Sequence, residues 1–491
     1  MASLKHLAKD TAIYGLSSII GRFLNYLLVP IYTHVIASNT GGYGVITGVY
    51  AQTALMLVIL TFGMETTFFR FANRTDCAEP RRVFSTCLIM VSAVAAVFLG
   101  LTLTFLPSIA TALAYGDHPE YIGMMAIVVA IDAFQAILFS YLRYQKRPIK
   151  FAALKLLFIF ANILLNLLFF VVLPRWAGWA VDVFWAFAAN LICTASITLF
   201  FLPELRDLRF GFDRTLCRAM LRYTWPMLVL GIAGILNQTA DKIIYPLIDT
   251  SASAKAQLGI YGAAVKIAMI MAMITQAFRY AYEPFVFSAA KDSDETAKRA
   301  TYAKAMLYFV AFTLLAFTCV IAYLDVLRYL ISPDYWDGLR VVPIVMAAEI
   351  MMGIYFNLSF WYKLTDRTLW GAWFSIAGCL VLLSVNILFI PTYGYMACAW
   401  AGVAGYTTCM LLSYFVGQHY YPIRYPLGKI FIYVALTVLC CGAMTIFAHF
   451  IESFALRIAF NTVCVAAFLA HICYHELTEL TARLLARMRH Q

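Results

Sequence analysis

The sequence predicts an all-α, polytopic membrane protein of about fourteen transmembrane helices, and three observations carry that reading. The 491 residues are 63% hydrophobic and only 12% charged, whereas a soluble domain carries about 25% charged residues. The mean hydropathy of +0.81 is more apolar surface than a water-soluble core encloses, so lipid must be part of the solvent. The apolar runs reach about 20 residues or more, the length that crosses a bilayer as a helix, without the period-two alternation of barrel strands. In lipid every backbone group must pair internally, which leaves helices.

The spans read as 11–36, 43–71, 83–107, 120–143, 151–173, 182–202, 220–248, 258–288, 301–330, 339–363, 367–390, 395–418, 428–450 and 454–474. The loops are short; the longest polar stretches, 203–218 and 289–300, are too small for a catalytic domain. Residues 475–491 read as a basic amphipathic tail on the membrane surface, with Arg483, Arg487 and Arg489. Lys5 and Lys9 precede a long apolar run that contains Arg22, so the start reads as an uncleaved first span.

Orientation follows from the basic residues. The set of loops that includes both termini holds 26 of the 36 Lys and Arg, among them Arg143, Lys150 and Lys155, against 5 in the opposite set. Cytoplasmic loops are enriched in Lys and Arg, so both termini are expected in the cytoplasm. The same rule accounts for the net charge of +11 without nucleic acid as a partner, since no basic block lies outside the short loops. The 12 cysteines are scattered, many inside apolar runs, with no C-x-x-C pair. They read as small apolar residues, not as a disulfide framework.

The first two spans recur six spans later. Gly42-Tyr43-Gly44 opens span two and Ile260-Tyr261-Gly262 opens span eight. Glu65 and Glu283 follow at the same spacing, then Phe69 and Phe287, and the preceding spans each carry a late proline, Pro30 and Pro246. An even offset gives both copies one orientation, so the implied pseudo-twofold axis runs along the membrane normal.

Five basic residues fall inside spans: Arg22, Arg70, Lys242, Lys266 and Arg279. Acids there include Glu65, Asp132, Asp241, Glu283 and Glu349. A charge at the bilayer centre costs about 2.5–3.5 kcal/mol on insertion scales, so such groups persist where they pair, line a wet cavity or bind a ligand. Arg70, at a span edge, suits snorkelling. Helical spacing places Tyr14, Ser18, Arg22, Asn25 and Tyr32 on one stripe of span one, and Gly234, Asn237, Asp241 and Tyr245 on one of span seven. Tyr43, Thr47, Tyr50, Thr61 and Glu65 share a face of span two. Arg279 and Glu283 are four residues apart and within pairing reach. The stripes suit either packed interfaces held by hydrogen bonds or one central cavity.

A cationic, tyrosine-rich cavity suits an anionic, sugar-bearing solute. Arginine grips phosphate with a planar fork, lysine acts as a point charge, and aromatic faces suit sugar rings. The expected substrate-binding residues are Arg22, Asn25, Lys242, Lys266 and Arg279. The expected coupling or charge-pairing residues are Glu65, Asp132, Asp241 and Glu283, which could balance the cations or bind H⁺ or Na⁺. No P-loop or G-x-G-x-x-G occurs, and His475-Glu476 lacks the second histidine of H-E-x-x-H. No enzyme activity, no cofactor and no metal site is expected.

The segments LKHLAKDTAIYGLSSIIGRFLNYLLVPIYTHVI and LGIYGAAVKIAMIMAMITQAFRYAYEPFVFSAAK resemble bacterial polysaccharide-biosynthesis flippases of the Wzx type. These belong to the superfamily of multidrug, oligosaccharidyl-lipid and polysaccharide exporters. The resemblance is sharp in those two segments and otherwise a matter of architecture. It implies two six-helix lobes of a MATE-like fold, 1–210 and 211–420, followed by two additional helices and the tail, 421–491. It implies a V-shaped central cavity, basic lumen residues at the positions of Arg22, Lys266 and Arg279, and, from the related lipid II flippases, a lipid-tail groove at the extra pair. The implied activity is transfer of an undecaprenyl-diphosphate-linked oligosaccharide from the cytoplasmic to the periplasmic leaflet of the bacterial inner membrane. A polysaccharide polymerase and glycosyltransferases would be partners. Two other functions fit such a chain: a cation-coupled multidrug exporter, against which the basic lean of the deep charges counts, and a membrane-embedded glycosyltransferase or polymerase, which would need a larger extracytoplasmic loop.

Overall fold

The computed structural model describes residues 24, 26–73, 79–206, 211–289, 295–365 and 367–489. Among these the secondary structure is helical, without strands, and thirteen helices are long and apolar enough to cross a bilayer. They are the expected spans two to fourteen. Of span one, the described helix is Leu28–Val35. The chain is a multi-pass membrane protein.

Proline and glycine punctuate the spans. Pro80, Pro119 and Pro148 each open a helix, where a missing N–H costs nothing because first-turn donors have no intrahelical acceptor. Asp213 caps the helix Arg214–Ile248 by accepting from the backbone N–H groups of Thr215 and Leu216. Hydrogen bonds from the Thr215 hydroxyl and the Leu216 N–H hold the Asp213 carboxyl below the usual aspartate range.

Two local expectations are corrected. Span two is not one helix: Gly42–Thr61 and Met64–Ala72 are separated by Phe62 and Gly63, at φ 34° and 74°. Gly63 adopts this left-handed geometry freely, whereas Phe62 is strained in it. A methyl group on Gly63 would also stand 2.8 Å from Met227 Cβ of span seven. No break separates the tail from span fourteen: one helix runs Phe454–Arg489, because no glycine or proline interrupts it.

The chain packs as two compact units. The first comprises Met1–Lys266, Asp334–Gly338 and Ser375–Gly405. Its pillar is span four, Pro119–Tyr144, with 67% of its apolar stretch buried. The core there joins Phe68, Phe84 and Tyr141, the last two rings stacked at 3.9 Å. Spans two and eight cross at their starts, the predicted outer end, with backbones in contact. A methyl on Gly44 would overlap the Lys255 carbonyl, one on Gly259 would stand 2.9 Å from the Gly44 nitrogen, and one on Gly262 would stand 2.6 Å from Thr47 Oγ1. Small residues permit this approach, as at other membrane helix crossings. Beside it, Tyr335 donates to the Ile36 carbonyl at 2.8 Å and meets Tyr43 edge-on.

The second unit comprises Ile267–Pro333, Leu339–Phe374 and Tyr406–Gln491. In it span nine, Glu295–Ala322, packs against span ten and both additional helices. Asn461 donates to the Ala322 carbonyl at 2.7 Å, and Asp325 pairs with Arg328 and Arg457, each at 3.4 Å. At the opposite end Tyr421 donates to Glu295 at 2.8 Å and Arg299 donates to the Pro422 carbonyl at 3.2 Å. Span thirteen is thus held at its entry and span fourteen at its start, while most of both helices faces outward for lipid.

Candidate functional site

Within the first unit, spans seven and eight build a lysine-rich cluster. Asp241 and Lys242 are adjacent in the helix Arg214–Ile248, about 100° apart around its axis. The long lysine stem folds back, and its ammonium lies 2.9 and 3.1 Å from the two Asp241 oxygens. Tyr261 of span eight donates to Asp241 at 2.6 Å, and the Lys242 ammonium stands 5.6 Å from the Tyr261 ring centre. Lys266 is within electrostatic reach of Lys242. The Lys242 and Asp241 side chains are 18% and 13% exposed, so their charges are only slightly screened. Asp241 pairs with Lys242, and with Lys266 nearby the cluster carries one positive charge in excess. The span-seven stripe continues with Asn237, which donates to the Ser375 carbonyl at 3.1 Å, and Tyr245, which donates to Gln257 at 2.7 Å.

The structure brings Lys242, Asp241 and Lys266 together, and sequence reasoning overlooked Tyr261 as their partner. Its signal was the Tyr-Gly pair that opens both repeats. Arg279 belongs to the second unit, where its guanidinium lies 5.0 Å from the Phe356 ring centre, in a narrow pocket also lined by Thr275, Phe309 and Asn357. Arg22, Asn25, Tyr14 and Ser18 lie outside the described residues, as does the side chain of Glu283, so the expected Arg279–Glu283 pair is among the undescribed features.

The remaining acids sit elsewhere in the first unit. Glu65 accepts from Arg143 at 3.1 Å and from Ser140 at 3.3 Å, both on span four. Arg143, counted with the loop residues although it closes the expected span 120–143, is in the last turn of that span. Asp132 lies at the middle of span four, within electrostatic reach of Lys155 of span five. Lys155, counted likewise although the expected span 151–173 contains it, is in the second turn of the helix Pro148–Leu167, its ammonium 4.0 Å from the Phe139 ring centre. Arg70 stacks on Tyr223 at 4.0 Å, a cation–π contact.

With this geometry in view, residues 7–284 match the family model described as polysaccharide biosynthesis protein. Nothing among curated proteins matches the chain. Solved structures share the fold at low identity. The lipid II flippase MurJ in an inward closed conformation superposes with a TM-score of 0.73 at 12% identity, covering 94% of this chain and 99% of that one. An inward-facing multidrug resistance transporter of the MATE family, in the MOP superfamily, gives 0.61 at 15% identity over 81% and 94%. A MATE protein in a straight conformation gives 0.54 at 16% identity over 84% and 95%.

Proposed function

We propose a flippase function from one premise: this chain belongs to the polysaccharide biosynthesis protein family. It moves a lipid-linked oligosaccharide, carried on undecaprenyl diphosphate, from the cytoplasmic to the periplasmic leaflet of a bacterial inner membrane, with both termini cytoplasmic. Access alternates between the leaflets through a cationic cavity, driven by a gradient of H⁺ or Na⁺. The lobes 1–210 and 211–420 are the moving halves. Glycosyltransferases supply the substrate and a polymerase consumes it.

The observation that supports this reading is the cluster of Lys242, Lys266, Asp241 and Tyr261. A diphosphate linking lipid to sugar is the one part of such a substrate that all glycans share, and it needs positive charge out of bulk water. Asp241 holds Lys242 in place while no anion is present. When phosphate arrives, Lys242 exchanges a carboxylate for a phosphate oxygen and Lys266 supplies the second point charge. Tyr261 keeps the vacated carboxylate hydrogen-bonded through the exchange. Arg279, Arg22 and Asn25 complete the set of substrate contacts.

The test is restoration of surface polysaccharide in a strain lacking this protein. Lys242→Ala, Lys266→Ala, Arg22→Ala and Arg279→Ala, made singly, are each expected to reduce it about tenfold or more with membrane levels unchanged. One charge-assisted hydrogen bond is worth about 1.5–3 kcal/mol, and each 1.4 kcal/mol is about tenfold. Arg279→Lys should retain partial activity. Full polysaccharide in all four alanine variants would remove the assignment. If the wild type instead conferred resistance to cationic drugs and restored no polysaccharide, the multidrug exporter would replace this reading.

A further inference from the structure

One end of the second unit, the end that the bias of basic residues assigns to the cytoplasm, carries cations seated on aromatic rings. Span nine begins there at Glu295, span ten ends at Leu364, and Arg367 lies in the turn into span eleven. Span twelve ends at Tyr420 and span thirteen begins at Leu427. The Arg299 guanidinium lies 4.6 Å from the Tyr421 ring centre, and that of Arg367 lies 4.2 Å from the ring centre of the adjacent Tyr420. The Lys363 ammonium stands 5.1 Å from the Phe360 ring centre. The rings support one another: Tyr302, Phe360 and Tyr421 belong to one apolar cluster, and Trp361 stacks on Tyr420 at 5.9 Å.

A stacked arginine is held by its face, which leaves the in-plane fork of N–H groups for an oxygen anion. The acid described at this end, Glu295, is taken by Lys298 at 3.0 Å and by Tyr421 at 2.8 Å; Asp292, Asp294 and Asp366 lie outside the described residues. Arg367 is exposed and makes no ion pair among the described residues. Arg299 gives one N–H to the Pro422 carbonyl, and its Nε makes no hydrogen bond. The hydroxyl of Tyr302, a residue only 5% exposed, has no hydrogen-bond partner either. Next to this patch, Leu427, Phe431, Val434 and Val438 share one exposed face of span thirteen, along which an apolar chain can lie while its headgroup rests on the arginines. Arg299, Lys363 and Arg367 bring three positive charges. A phospholipid phosphodiester brings one negative charge and a diphosphate joining lipid to sugar brings two, so the balance favours the diphosphate.

We infer that Arg299, Lys363 and Arg367, held over aromatic rings at the end of the second unit, form a surface site for the diphosphate headgroup of a lipid-linked substrate still in its leaflet; this deepens the flippase reading and rests on it. The two guanidinium forks grip phosphate oxygens in their planes, and Lys363 adds a point charge. The rings fix the arginines in place before the lipid arrives, so little side-chain freedom is lost on binding. The site collects substrate by the part that every glycan shares, and the lysine cluster of the first unit receives it in a later step.

The test uses the full chain in phosphatidylcholine nanodiscs, with undecaprenyl diphosphate as the probe. Because the lysine cluster also attracts a diphosphate, binding is measured in the Lys242→Ala/Lys266→Ala background. Adding Arg299→Gln and Arg367→Gln there is expected to weaken the remaining binding about tenfold or more, the equivalent of one charge-assisted hydrogen bond. Arg299→Lys with Arg367→Lys, which keeps both charges and loses the forks, should bind between the two. Absence of binding in the double-alanine background overturns the site, as does unchanged affinity in the glutamine variant. Equal loss in the lysine and glutamine variants overturns it too, since positive charge would then not be what binds. Phosphatidylglycerol competing as well as the probe overturns the assignment to a diphosphate. If the wild type restores no surface polysaccharide while the arginines still govern binding, the flippase reading fails and the headgroup site stands. If the wild type restores polysaccharide and the arginine changes leave binding intact, the site fails and the flippase reading stands.

Discussion

At the scale of single residues, position along a span proved a poor guide to environment. Lys155 and Arg143 stand near helix ends, where a basic side chain ordinarily reaches the interface, and the sequence counted both with the loop residues although the expected spans contain them. Their true setting depends on helix face and on what the neighbouring helix presents: Phe139 for Lys155, Glu65 for Arg143. By contrast Lys242, Lys266 and Asp241 were legible because a charge deep in an apolar run has few explanations. Glu204 went unnoticed, although it is 3% exposed and grips Lys150 with both oxygens, at 2.7 and 2.8 Å, with Arg147 at 3.5 Å. Its partners are far apart in sequence, so spacing carries no trace of the contact. Glu204→Gln is expected to cost about 1.5–3 kcal/mol, read as a lower midpoint in detergent thermal unfolding. Lys150→Met should cost less, since Arg147 remains to pair the carboxylate.

At the scale of elements, the spans were readable because apolar length and proline or glycine punctuation act locally. The interruption in span two was not, since Phe62 and Gly63 sit inside an unbroken apolar run and nothing local to that run marks the left-handed turn, at which Gly63 lies close against Met227. The tail read as its own element from its basic residues, but backbone propensity continues a helix until something stops it, and one helix runs Phe454–Arg489. The cap of span seven offers a test by pH. The Asp213 carboxyl is held below its ordinary range, so its stabilising effect is complete above the unfolded aspartate value of about 3.9 and is lost as pH falls through the lower folded value. Asp213→Asn caps without titrating. Between pH 7 and pH 3 the melting temperature of the wild type should therefore fall more than that of the variant; parallel curves would remove the cap's role.

At the scale of the whole molecule, the fold class was legible from composition, because lipid leaves so few architectures open, and the polysaccharide biosynthesis family from two short segments. The packing units were not, since span eight passes from one unit to the other at residue 266 without any change in its composition. The repeat deserves a physical test where its copies meet, at Gly44 and Gly259. Gly44→Ala should destabilise by about 1–3 kcal/mol through overpacking. Gly100→Ala, at a helical site with nothing within 4 Å, should stabilise by about 0.5–1 kcal/mol. Thermal unfolding of the two variants side by side separates close approach from general helix propensity.

That meeting of main chains has a mechanical consequence. A seam made of side chains loosens by degrees, as one rotamer after another swings away. Where Gly44 meets Lys255 and Gly259, peptide lies on peptide, and parting them there means carrying one whole rod bodily off the other. Any motion that unzips this end is therefore abrupt, with few halfway stations, and lipid or water arrives in the gap only after both rods have moved.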